Sequence, residues 1–110
     1  MDIVFEKKLE KLYNNQRQLE KEYGTRRAKR IRQRLDDLRA ANTLEDMRSL
    51  PGRCHELQHD RAGQLSLDLD HPYRLIFQPE NDPVPVKPDG GLDWKTITAV
   101  RILGVVDTHE

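Results

Sequence analysis

A chain of 110 residues with 35% hydrophobic and 35% charged side chains can build one small core but not two. Its 19 basic and 19 acidic residues cancel, so net charge gives no general pull toward nucleic acid, and no apolar run approaches the ~18 residues of a membrane span. One cysteine excludes an intrachain disulfide framework and points to a reducing cytoplasm, and the charged start Met1-Asp2-Ile3 is unlike a signal peptide.

The zero total hides a division. Residues 1–53 hold 14 Lys/Arg against 9 Asp/Glu, a balance of +5, and residues 54–110 hold 5 against 10, a balance of −5. Arg26, Arg27, Lys29, Arg30, Arg32 and Arg34 supply most of the excess, and local field rather than net charge governs attraction to phosphate. Charges are interleaved with periodic apolar positions throughout, which is the pattern of a folded chain.

Ile3-Val4-Phe5 reads as a short strand, at an edge or in the middle of a sheet. Leu9, Leu12, Gln16, Leu19 and Tyr23 then recur at spacings of three and four, which predicts a helix over 9–23 ended by Gly24. Thr25 is placed to cap a second helix over 25–41, whose apolar stripe is Ala28, Ile31, Leu35 and Leu38. On that helix Arg26, Arg30 and Arg34 fall on one row at i, i+4 spacing with Arg27 beside them, either a solvated face or a surface for ribosomal RNA or an acidic partner. Thr43 and Asp46 form a capping-box variant for one more turn, which Pro51-Gly52 stops.

After Pro51 the period changes from three/four to two. Leu65, Leu67 and Leu69 alternate with Ser66, Asp68 and Asp70, a half-buried strand with one wet face. Tyr73 to Gln78 follows the His71-Pro72 turn and completes a hairpin. Pro79 to Asp93, rich in proline and glycine, reads as a stiff surface loop, and Lys95 to Val106 as a final long strand. The order β-α-α-β-β-β implies one α+β domain over 1–110, a twisted antiparallel sheet with the helical hairpin on one face.

The chemistry-bearing stretch runs from Cys54-His55-Glu56-Leu57-Gln58-His59-Asp60-Arg61-Ala62-Gly63 through Tyr73-Arg74-Leu75-Ile76-Phe77, and the chain closes with Val105-Val106-Asp107-Thr108-His109-Glu110. Arg74 sits inside an apolar strand, where a bare charge must be paired or face a cleft. This ordered set resembles the RelE/ParE superfamily of bacterial toxins, and most closely its HigB-like branch, whose members carry H-x-L-K-G-D-x-x-G, then W/Y-R-[ILV]-x-F, and end in V-D-Y-H. The resemblance implies a RelE-like fold and a toxin of a type II toxin–antitoxin pair. Its activity would be ribosome-dependent mRNA cleavage without metal or other cofactor. Its partners would be a HigA-like helix-turn-helix antitoxin, the ribosome and mRNA, with operator DNA reached through the antitoxin.

In that reaction the ribose 2′-hydroxyl attacks its own phosphate, so the site needs a proton acceptor, a proton donor and positive charge on the phosphorane. The resemblance puts His55, Arg74, Asp107 and His109 in the catalytic set, and Gln58, His59, Arg61, Tyr73 and Thr108 against substrate. Arg74 is suited to phosphate because guanidinium holds two oxygens at once, although pairing with Asp68, Asp70 or Asp107 is the plainer reading. Asp107 is equally well read as a strand-terminal partner of Arg74 or Arg101. Cys54 and His55 are adjacent without a second ligand pair, which is not zinc-site spacing. Two positions depart from the family pattern: Gln58 stands where lysine is usual and Thr108 where tyrosine is usual. Those departures favour two rival readings, a ParE-like gyrase poison or a catalytically degenerate antitoxin-binding protein.

Overall fold

The computed structural model describes residues 1–107. Five strands, β1 (Asp2–Phe5), β2 (His55–Glu56), β3 (Leu65–Asp68), β4 (Tyr73–Pro79) and β5 (Ala99–Asp107), form one sheet in the order β1-β5-β4-β3-β2. From β5 through β2 every pairing is antiparallel, as expected, while β1 adds a parallel edge against β5 with Ile3 opposite Val100. The architecture is a small α+β sheet-and-helix domain.

Three helices, α1 (Leu9–Tyr13), α2 (Gln16–Tyr23) and α3 (Thr25–Ala40), cover one face. The expected first helix is split because the Asn15 side chain accepts from the Gln18 backbone N–H at 3.1 Å and so starts a new helix. Arg32 of α3 holds the break, donating to the Tyr13 carbonyl at 2.5 Å and to the Gln16 side chain at 3.1 Å. Gly24, with φ +84°, makes the corner between α2 and α3 and occupies the cap position expected of Thr25. The turn after α3 is a 3₁₀ segment over Leu44–Ser49 in which Thr43 makes no cap; the Asp46 carboxylate instead accepts from the Asn42 N–H at 2.8 Å.

The core lies between helices and sheet. Leu19, Ala28, Ile31, Leu35 and Leu38 from α2 and α3 meet Leu65, Leu67, Leu69, Leu75, Phe77, Val100 and Ile102. The three alternating leucines are buried on one shared face, as their spacing predicts. Ser66 between them is also fully buried, so that strand has less of a wet face than alternation suggests.

Arg34 is the charged exception in α3. Expected on the exposed basic row, it is 5% exposed and donates from Nε to the Asp68 carbonyl at 2.8 Å. Burial, then the charge of Arg30, depresses its guanidinium below the ordinary range. Its slot exists because position 52 has no side chain: a Cβ on Gly52 would come 2.8 Å from Arg34 Nε and 3.1 Å from Leu67 Cδ2. Gly52 also has φ +111°, a left-handed conformation that disfavours side chains. Gly52→Ala should therefore destabilise the fold by about 2–4 kcal/mol, strain and overpacking combined. A urea midpoint equal to that of the unmodified protein would contradict this packing.

The Pro79–Asp93 loop is tied down rather than free. The Glu56 carboxylate accepts from the Leu92 N–H at 3.1 Å and from the Trp94 indole at 3.0 Å, and Val86 bridges to Leu92. Among the described residues no helix is long and apolar enough to cross a membrane.

Candidate functional site

Side chains alternate across a strand, so register decides which residues share the helix-free face of the sheet. His55 pairs with Ser66, Ser66 with Ile76, and Asp68 with Arg74, which puts all five on that open face. Sheet spacings of about 4.8 Å between strands and 3.3 Å along them set the His55 and Arg74 backbones roughly 12 Å apart. Both side chains can reach inward from that separation.

His55 is oriented from both sides. Its Nδ1 lies 2.8 Å from the Arg53 carbonyl, which can only accept, so Nδ1 carries the proton. The lone pair is thereby left on Nε2, 3.4 Å from the hydroxyl of buried Ser66. An imidazole held in this tautomer can take a proton at Nε2 and return it.

Arg74 approaches Asp68, the plainer of its expected partners, with Nε 3.5 Å from Oδ1. Its terminal nitrogens make no hydrogen bond among the described residues. The other oxygen of Asp68 accepts from Arg53 Nε at 2.5 Å. Around these groups is a hollow of about 40 Å³ lined by Arg53, Asp68, Leu69, His71, Pro72, Tyr73 and Arg74.

Asp107 does not join them. Leading into the strand end, Phe77 opposes Ile102 but Ile76 opposes Gly104, so β5 carries one extra residue at Leu103. Gly104, at φ +138°, absorbs it. The bulge reverses the alternation downstream, and Asp107 pairs with Tyr73 on the face opposite Arg74. His109 and Thr108 lie outside the described residues.

Tyr73 is engaged by α3. The Arg27 guanidinium stacks 3.4 Å above its ring and reaches the Asp70 carboxylate at 3.1 and 3.3 Å. Arg27 is thus half-buried and paired, which leaves Arg26 exposed and Arg30 half-buried as what remains of the basic row.

Gln58 and His59 sit elsewhere, on a larger cleft of about 380 Å³ lined also by Glu56, Leu57, Ala62, Gly63 and Gly90. It shares no lining residue with the hollow at Arg74. His59 adopts φ +57°, a conformation that favours glycine. Arg61 is exposed and meets Gln64 at 3.3 Å. Cys54 offers no nucleophile, since burial pushes its thiol up to about 12 despite the opposing charge of Arg48. Among the described residues no group of three His, Cys, Asp or Glu side chains is placed to hold a metal ion.

Three members of the open-face cluster escaped sequence reasoning: Arg53, Ser66 and the double role of Asp68. Ser66 and Asp68 had a signal, because their alternation with Leu65 and Leu67 puts them on the face of Arg74. Arg53 follows a Pro-Gly turn and has none.

Solved structures share this fold across the whole chain. A YoeB/ParE toxin from Agrobacterium tumefaciens superposes with a TM-score of 0.61 at 11% identity, covering 99% of this chain and 100% of that one. The chain has the YoeB/ParE toxin fold. A YoeB–YefM complex from Staphylococcus aureus gives a TM-score of 0.58 and a YoeB dimer from the same organism 0.57, each at 14% identity over 100% of this chain and 98% of the other. No protein-family model matches the sequence, and no curated protein matches it.

Proposed function

We propose that this chain is the toxin of a type II toxin–antitoxin pair, a HigB-like endonuclease that cleaves mRNA on the ribosome. The observation that carries the reading is the open sheet face, which His55 on β2 and Arg74 on β4 share from either side of β3. His55 takes the 2′-hydroxyl proton at Nε2, with Nδ1–H anchored to the Arg53 carbonyl. Arg74 holds the phosphorane oxygens as charge builds on them. The products are a 2′,3′-cyclic phosphate and a 5′-hydroxyl, with His109 the candidate donor to the leaving oxygen.

A structural neighbour solved as a YoeB–YefM complex supports an antitoxin partner, for which a HigA-like helix-turn-helix protein is the counterpart here. The exposed Arg26 and half-buried Arg30 suit an acidic antitoxin or ribosomal RNA. Such a pair works in the cytoplasm. The second reading, a ParE-like gyrase poison or a non-cleaving antitoxin binder, is favoured by one observation: Asp68 already partners Arg74.

Primer extension on cellular mRNAs after induction separates the two. Codon-linked cuts are the expected result. Intact mRNA together with gyrase-dependent DNA breaks would establish the rival.

A further inference from the structure

One carboxylate is lodged between two guanidinium groups on the open face, and it is bonded unevenly. Asp68 Oδ2 accepts from Arg53 Nε at 2.5 Å, while Oδ1 stands 3.5 Å from Arg74 Nε and is buried without a hydrogen-bond partner. The Asp68 backbone is fixed on both sides, its N–H donating to the Gly52 carbonyl at 2.8 Å and its carbonyl accepting from buried Arg34 at 2.8 Å. Arg53 is the exposed member: its side chain is 71% exposed, against 27% for Asp68 and 28% for Arg74. The hollow between them, about 40 Å³, has room for about one water and none for a phosphodiester.

We propose that Arg53 and Arg74 together form a two-guanidinium phosphodiester site, which the Asp68 carboxylate occupies in the free protein and which RNA must open. The inference rests on reading the open face as the RNA site, and it adds Arg53 and a built-in competitor to it. A carboxylate and a phosphodiester each present two oxygens and one negative charge to a guanidinium, so one can stand in for the other. Asp68 sits where the phosphate would and faces the same Nε atoms. With its backbone pinned, the site opens by rotation of the Arg53 side chain, which brings that guanidinium onto the incoming phosphate. Were Asp68 instead a positioning group for Arg74, its carboxylate would be hydrogen-bonded to that arginine. The bond goes to Arg53.

The two roles predict opposite signs. A short fluorescein-labelled single-stranded RNA is titrated with the full chain, and affinity and salt dependence are read by anisotropy, with a thermal melt for each variant. Asp68→Asn should tighten binding up to about fivefold, the scale of one part-exposed charge interaction. Asp68→Ser should move affinity the same way, which guards against an amide that pairs differently. Arg53→Ala should weaken binding, most clearly in the Asp68→Asn background, and reduce the log–log salt slope by ~0.7. If Arg74→Ala weakens binding while both Asp68 variants weaken it or leave it unchanged, Asp68 positions rather than competes; the latch is then wrong and the RNA site stands. If Arg74→Ala leaves binding unchanged, the RNA reading of this face fails and the latch with it.

Discussion

Arg74→Ala should abolish mRNA cleavage while leaving the fold in place. Removing one preorganised stabiliser of transition-state charge typically costs 10²–10³ in rate, about 2.7–4 kcal/mol, which in a cellular assay is loss of cutting. Stability should change little, because the pair with Asp68 is loose at 3.5 Å and both side chains are more than a quarter exposed. Such pairs contribute about 0–1 kcal/mol. The comparison of activity with melting temperature is therefore clean, unlike one made at a core position such as Phe77, where truncation costs about 3–5 kcal/mol. Arg74→Lys should recover part of the rate and not all, since an ammonium supplies the charge without the planar fork. Primer extension after induction of each variant checks this. Undiminished codon-linked cuts with Arg74→Ala would remove this arginine from the chemistry and leave the nuclease reading standing on other residues.

The helices and hairpin were legible because burial imposes periods that a sequence displays. Leu65, Leu67 and Leu69 had to share a face, and Ile31, Leu35 and Leu38 had to face them. What the sequence concealed were features set by contact between distant parts. Arg34 lies on the same row as Arg26 and Arg30, and charge spacing alone gives no reason to bury it. Its slot is made by the missing side chain of Gly52, eighteen positions along the chain. Asp107 misled for a related reason. Counting by twos from buried Val100 and Ile102 puts it on the face of Arg74, and one bulged residue at Leu103 reverses the count. A glycine in a strand was the available signal, since Gly104 is the residue that accommodates the bulge. The parallel β1–β5 edge likewise depends on how the two ends of the chain meet. On the open face, Arg74 and His55 were singled out through motif position, strand parity was an unused signal for Ser66 and Asp68, and Arg53 needed the three-dimensional fold.

Gln58→Lys combined with Thr108→Tyr should raise mRNA cleavage on the order of 10²–10³. Gln58 is exposed on the rim of the 380 Å³ cleft, where its amide can hydrogen-bond phosphate but brings no charge. Lysine there would add a cation without displacing a packed group, so the fold should tolerate it. The tyrosine would return a ring on which a base can stack, worth ~1–3 kcal/mol, a surface that Thr108 lacks. Tyr73 is poorly placed to substitute for it, because the Arg27 guanidinium already covers one of its faces. Tested separately, the lysine should steepen the salt dependence of RNA binding by ~0.7 in log–log slope and the tyrosine should leave that slope alone. A charge and a stacking ring thus give distinguishable signatures before any cleavage is measured. If the unmodified protein already cuts translated mRNA strongly and the pair adds nothing, another group fills the lysine's role. His59 is then the first to substitute, since it lines the same cleft beside Gln58 and supplies a cation when protonated. That outcome would make His59→Ala lower cleavage, while the same substitution should change little if the lysine's role is unfilled.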